Sequence, residues 1–248
     1  MAARPLPPGW PLARREPQLS EQMDRPDCDP RRLERTYAQF GVVNGLLSGW
    51  RRVYRRELRP LLRPGQPHTL LDIGSGGGDV PRALAGWAAA DGLSLEVTAS
   101  DADPRALAYA SRQPPLLGLS FRQGLSHELL VEGLRYDFVT SNHLLHHLTP
   151  PELAGLLADS ERLTRLKVVH NDIERHPLAY LGFWAGTALV YPGPFARGSF
   201  IRGDGLLSVR RSYVAAELRA IAPPGWTVRR QPPFRNLLVY TPPGDSRA

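Results

Sequence analysis

Hydrophobic and polar positions follow two rhythms along the 248 residues. From Asp29 to about Leu62, apolar residues recur at intervals of three and four (Leu33, Tyr37, Phe40, Val43, Leu46, Leu47, Trp50, Val53, Tyr54, Leu58, Leu61), the stripe of a helix buried along one face. Gly41 and Gly45 are expected to divide this region into two helices. After "RPGQP" the rhythm changes. Short apolar runs at 68–73, 93–100, 117–123, 136–141 and 166–172 read as strands, and 79–90, 103–112 and 151–164 between them read as helices. Such alternation predicts an α/β fold with a mostly parallel sheet. The last two runs, 226–233 and 234–243, leave no room for a crossover helix and must pair antiparallel.

The first 28 residues lack any period and are rich in proline and charge, which predicts a flexible arm. The expected organisation is therefore an arm over 1–28, a helical cap over 29–66, and an α/β domain over 67–248 with an insertion at about 173–213 that serves the substrate pocket. A chain of this length can bury a full core as one domain. Its single cysteine, Cys28, excludes an internal disulfide or a site built on several thiolates. No apolar run reaches the roughly 18 residues of a membrane span and the opening lacks a secretory apolar run, so a cytoplasmic protein is expected. The net charge of +7 comes from arginines spread along the chain, with Lys167 the only lysine, and does not indicate nucleic acid. Arg51, Arg52, Arg55, Arg56 and Arg59 fall largely opposite the apolar stripe, as on a solvated helix face.

Candidate chemistry begins at "LLDIGSGGGDV" (70–80), where Gly74, Gly76, Gly77 and Gly78 end a strand and precede a helix. They let the backbone turn sharply and approach a ligand. A dinucleotide loop would carry its third glycine at position 79, which is Asp79, and the lysine of a triphosphate loop is missing. A pyrophosphate here would sit beside Asp72 and Asp79, and like charges about 5 Å apart at an effective dielectric near 20 repel by about 3 kcal/mol. A cation gains instead, and S-adenosyl-L-methionine offers a sulfonium and an ammonium without phosphate. Asp101, closing the second strand in "TASDADP", is placed to take ribose hydroxyls, while Asp103 caps the next helix ahead of Pro104.

In order along residues 68–172, "LLDIGSGGGD", "SDADP" and "YDFVTSNHLLHHL" resemble the signature segments of class I S-adenosylmethionine-dependent methyltransferases. "YAQFGVVNGLLSGWRR" (37–52) also resembles the leading helix of ubiquinone and menaquinone C-methyltransferases. The resemblance implies a Rossmann-like seven-stranded sheet with an antiparallel C-terminal hairpin and helices on both faces. It implies a cofactor site at Asp72, Gly74, Ser75, Gly76, Gly78, Asp79, Asp101, Ala102 and Asn142, with the turn after the fourth strand beside the methionine end.

"NHLLHHL" then supplies His143, His146 and His147. Only His143 and His147 have helical spacing and no carboxylate accompanies them, so no metal is expected; "LHHL" runs are common structural features of the family, and a general base among the three is the functional alternative. His170, Asn171, Asp172 and Arg175 are expected at the same sheet edge. The segment 178–191 is too short for a bilayer, and its Tyr180, Phe183, Trp184 and Tyr191 would line a pocket or pack as core. An aromatic wall suits a small aromatic, quinone, polyketide-like or lipid-like acceptor methylated on oxygen or carbon. Cys28 lies in the arm, leaving no candidate for a cysteine adduct on cytosine, and "SNHL" replaces the motif of adenine amino-group methylases. Two other readings compete: an NAD-dependent oxidoreductase, opposed by Asp72 and Asp79, and an RNA-acting or non-catalytic member of the fold using the arginine helix.

Overall fold

A computed structural model describes residues 12–189 and 198–244. Strands β1 (His68–Ile73), β2 (Leu95–Asp101), β3 (Leu119–Gln123), β4 (Tyr136–Asn142) and β5 (Thr164–Ile173) are parallel, and β7 (Arg235–Tyr240) lies antiparallel between β5 and β6 (Trp226–Gln231). The order β3-β2-β1-β4-β5-β7-β6 is the expected mostly parallel sheet with its C-terminal hairpin. Strand order reverses between β1 and β4, which opens a crevice at their carboxyl ends.

The central strands are apolar in runs because both of their faces are covered. Leu70, Leu71, Phe138, Val139, Val168 and Val169 are fully buried. Trp50, Tyr54 and Leu58 of the cap, with Leu84 and Ala88 of α3 (Asp79–Ala90), cover one face. Leu153, Leu157 and Leu163 of α6 (Pro150–Leu163) cover the other. Helices α4 (Pro104–Ser111) and α5 (Ser126–Val131) complete the crossovers, while α7 (Pro177–Leu189), α8 (Ile201–Arg211) and α9 (Ala215–Ile221) follow β5. Among the described residues, no helix is long and apolar enough to cross a membrane.

Two expectations are corrected. Helix α1 (Pro30–Leu47) runs unbroken through Gly41 and Gly45. A glycine costs a helix only about 1 kcal/mol, and Gly41 faces α3, where a Cβ would stand in ordinary contact with that of Asp79 at 3.9 Å. The break comes at Gly49, in the left-handed region (φ 70°), before α2 (Trp50–Val53), a wider π-helical turn (Tyr54–Leu58) and a 3₁₀ turn (Arg59–Leu61). The second correction concerns the arm, because residues 12–28 dock on the domain. The Asp204 carboxylate of α8 accepts from the backbone N–H groups of Gln22 and Met23 at 2.9 Å each, Arg15 donates to the His146 and Leu148 carbonyls, and Glu16 pairs with Arg210 at 2.7 Å. Its charges, read as a mark of disorder, are what fasten it.

Candidate active site

At the crevice the β1–α3 loop turns through glycines. Gly74 (φ 68°) and Gly78 (φ 79°) occupy the left-handed region, and a Cβ on Gly78 would fall 2.5 Å from the Phe121 ring. Asp101, at the end of β2, ties this loop down: one carboxylate oxygen accepts from Gly76 N–H at 2.7 Å and the other from Asp103 N–H at 2.9 Å. The register of β1 on β4 sets Thr140 beside Asp72, whose carboxylate accepts the threonine hydroxyl at 2.7 Å. Asp79 accepts from Asn44 of α1 at 2.9 Å. Ser75 is buried, and Ala102 lies exposed beyond Asp101.

None of these three carboxylates has a lysine or arginine ion-pair partner among the described residues. Burial, reinforced by the charges of Asp79 and Asp101, pushes Asp72 up to about 7. Burial likewise raises Asp79 and Asp101. A cationic ligand fits such a donor set.

From Asn142, at the end of β4, hydrogen bonds lead away from the loop. Its amide donates to Asn44 at 3.3 Å and its carbonyl accepts from Arg235 at 3.0 Å. Arg235 is buried, donates to Asn171 at 2.9 Å, and lies 2.8 Å from Nε2 of His143. A guanidinium only donates, so Nε2 must accept and the ring proton must sit on Nδ1. Burial first, then Arg235, holds His143 well below its ordinary pKa, so this ring is neutral.

His146 and His147 form a second cluster. His146 is 1% exposed; its backbone N–H and Nδ1 meet the two oxygens of Asp172 at 2.8 and 2.7 Å, and its Nε2 lies 3.4 Å from Glu21 Oε1. His147 places Nδ1 3.1 Å from Asp24 and Nε2 3.8 Å from Glu21. Burial opposes charge on His146 but is overcome by Asp172 and Glu21, leaving its pKa at about 9. Burial also opposes charge on Asp172 and Glu21, yet the neighbouring cations hold both below their usual range. The expectation that no carboxylate accompanies the histidines is thus overturned, because the docked arm brings Glu21 and Asp24. No short-range signal could reveal a partner more than 120 residues away.

Other expected residues separate. His170 is buried within the sheet, bonded to Ser141 at 2.8 Å and stacked on Trp226 at 5.6 Å, and burial presses it to about 3. Asn171 and Asp172 remain near the site, but Arg175 turns away to Glu217 at 2.6 Å. Phe183 lines the cavity, Trp184 is 49% exposed, and Tyr180 is not part of the lining. Tyr191 falls outside the described residues.

One cavity of about 1070 Å³ joins these parts. It runs from Asp101, Gly76 and Asp72 past Asn142 and His143 to an apolar wall that includes Phe40, Val43, Leu46, Phe183 and Ile201. Sequence reasoning did not single out Asn44, Arg235, Glu21 or Asp24 for this lining.

Residues 70–177 match the methyltransferase domain family. A search of curated proteins returned no match. Among solved structures, the chain is similar to human N-acetylserotonin methyltransferase in complex with S-adenosylmethionine (TM-score 0.59, 11% identity, 86% of this chain and 56% of that one). It is similar also to a S-adenosylmethionine-dependent methyltransferase from Aquifex aeolicus (TM-score 0.55, 16% identity, 85% and 97%) and to the CurJ carbon methyltransferase (TM-score 0.59, 13% identity, 88% and 62%). At such identities the likeness is one of fold. The chain spans 56% and 62% of the lengths of the first and last of these. The sheet order is that of the class I methyltransferase fold, and residues 70–177 within it carry the match to the methyltransferase domain family.

Proposed function

We propose that this chain moves the methyl group of S-adenosyl-L-methionine to an oxygen or carbon of a small aromatic, quinone or polyketide-like acceptor. The observation that carries this reading is the continuous cavity, which begins at three carboxylates lacking cation partners and ends at an apolar wall. When bound, the cofactor supplies a methyl group on a positively charged sulfur, open to in-line displacement.

The residues divide the work. Asp101 and Ala102 are assigned to the ribose, the loop of Gly74, Ser75, Gly76 and Gly78 to the close approach of backbone, and Asp72, Asp79 and Asn142 to the positively charged methionine end. Arg235 favours an acceptor oxygen in its anionic form, since opposite charges about 5 Å apart at an effective dielectric near 20 attract by about 3 kcal/mol. His143, with its proton on Nδ1, donates a hydrogen bond and does not act as a base. His146 and His147, with their carboxylates, form the polar end of the acceptor half. Alignment and exclusion of water supply the rest, and no protein nucleophile is needed.

Calorimetric titration with S-adenosyl-L-methionine, its demethylated product and NADH tests the cofactor half. Binding of the first two without NADH is expected, and binding of NADH alone would sink the reading. Incubation with labelled cofactor and a panel of phenols, quinones and polyketide-like chains then tests the acceptor half, where transfer to apolar ring-bearing compounds is expected over transfer to RNA.

A further inference from the structure

We infer that Glu21, His146 and His147 form a binding site for a divalent transition-metal ion at the acceptor end of the cavity. Two imidazoles and one carboxylate, leaving a position open, are the donor set of many catalytic zinc sites. The donor atoms lie within 4.8 Å of one another. Glu21 Oε1 is 3.4 Å from His146 Nε2 and 3.8 Å from His147 Nε2. Ligands about 2.0–2.1 Å from a tetrahedral ion stand roughly 3.3–3.4 Å apart, so Glu21 and His146 already stand at ligand separation and His147 lies a few tenths of an ångström too far from Glu21.

The surroundings match what a metal site requires beyond its ligands. Each histidine turns Nδ1 to a carboxylate, His146 to Asp172 at 2.7 Å and His147 to Asp24 at 3.1 Å, which fixes the ring so that Nε2 faces inward. Ser208 donates to Glu21 at 2.8 Å and orients that carboxylate. Among the described residues, buried Nε2 of His146 makes no well-formed hydrogen bond, its nearest partner being Glu21 at 3.4 Å. An unsatisfied buried imidazole nitrogen is costly, and a metal ion at that nitrogen satisfies it.

Charge agrees. Glu21, Asp24 and Asp172 bring three negative charges, and Arg211, with Nη1 3.6 Å from both Glu21 and Asp24, brings one positive charge. Arg235 also acts on Asp172, and a metal ion at Nε2 takes the place of the proton that His146 carries without it. Glu21, His146 and His147 all line the cavity. The open position of the ion therefore takes an acceptor oxygen and narrows the acceptor to compounds with a phenolic or enolic hydroxyl, which the ion makes more acidic. That acceptor role rests on the methyltransferase reading; the binding of the ion does not.

The test uses tag-free full chain, stripped with a chelator and titrated with Zn²⁺ against a chromophoric competitor, with Co²⁺ absorption reporting the ligand field. One equivalent per chain is expected, and Glu21→Gln and His147→Gln should each weaken binding more than about tenfold. Asp24→Asn, at a side chain 41% exposed, should cost about tenfold or more through the His147 ring and keeps the test open where Glu21→Gln fails to fold. Far less than one equivalent, or loss smaller than about tenfold in either ligand variant that folds, overturns the site. Zinc binding without cofactor binding would leave the site standing and remove the methyltransferase reading instead.

Discussion

Two clusters of three carboxylates stand at or just behind opposite ends of the cavity, and they differ in what holds them. Asp72, Asp79 and Asp101 lean on a hydroxyl, a side-chain amide and backbone N–H groups, and all three have raised pKa values with burial as the leading cause. Glu21, Asp24 and Asp172 face His146, His147 and Arg211, and all three are lowered despite burial. One end is short of positive charge, which is what the proposed cationic cofactor would supply. The other pairs its carboxylates with histidines and an arginine of the chain itself. Changes at the first end should therefore act on cofactor affinity, and changes at the second on turnover.

Removing Asp101 is the most severe way to break this division. Asp101→Ala takes away the acceptor of two backbone N–H groups as well as the proposed ribose contact, and hydrogen bonds to a charged group contribute about 1.5–3 kcal/mol each. Cofactor affinity should fall about 100-fold or more, with the circular dichroism spectrum unchanged. Undiminished affinity by calorimetry would show that the carboxylates of this end do not hold the cofactor. At the far end, Arg235→Lys keeps the charge but cannot serve Asn142, Asn171 and His143 together. Turnover should drop about 30-fold while the cofactor Kd stays within about threefold, a split read from kcat against calorimetric affinity. Equal losses in both would merge the two ends into one.

A pH series sharpens the same contrast. Asp72 titrates at about 7 in the folded chain against an ordinary 3.8, so the stability it contributes is present below the lower value and is lost as pH rises through the higher one. Cofactor binding has the opposite sign, because only the ionised carboxylate attracts a cation. Affinity should rise about tenfold between roughly pH 5.5 and 7, and the gain in Tm from saturating cofactor should grow over that range. Asp72→Asn should flatten the rise. A steep rise surviving in that variant would move the titration elsewhere.

The first end was legible in the sequence because it is local. Asp72, Gly74, Gly76, Asp79 and Asp101 sit where strands end, and strand ends follow from apolar runs with turn residues behind them. Asn142 followed in the same way from β4. The second end is assembled from contacts across long separations, such as Glu21 with His146 or Asn142 with Arg235. Nothing in the periodicity of "NHLLHHL" announces a carboxylate in a proline-rich arm. Arg235 illustrates the same limit: it opens an ordinary hairpin strand, and only the insertion of β7 beside β5 carries it to the crevice. The unbroken α1 was misread for a related reason, since Gly41 meets α3 in the folded chain and does not mark a turn.

The mildest perturbation addresses the apolar wall alone. Helices α7 and α8 pack so closely that a Cβ on Gly205 would fall 2.4 Å from the Phe183 ring. Gly205 sits in a right-handed helix, so alanine there carries no backbone strain and its only effect is to push the ring. Overpacking of this kind costs about 1–3 kcal/mol where neighbours cannot move, but Phe183 borders the cavity and can yield into it. Gly205→Ala should therefore leave Tm within a few degrees and cofactor affinity unchanged, while KM for a bulky acceptor rises several-fold and a smaller acceptor is spared. A loss of cofactor affinity in this variant would mean that the wall and the glycine loop are mechanically joined. Equal KM for large and small acceptors would place the acceptor away from α7, against the arms of α1 and the histidine cluster.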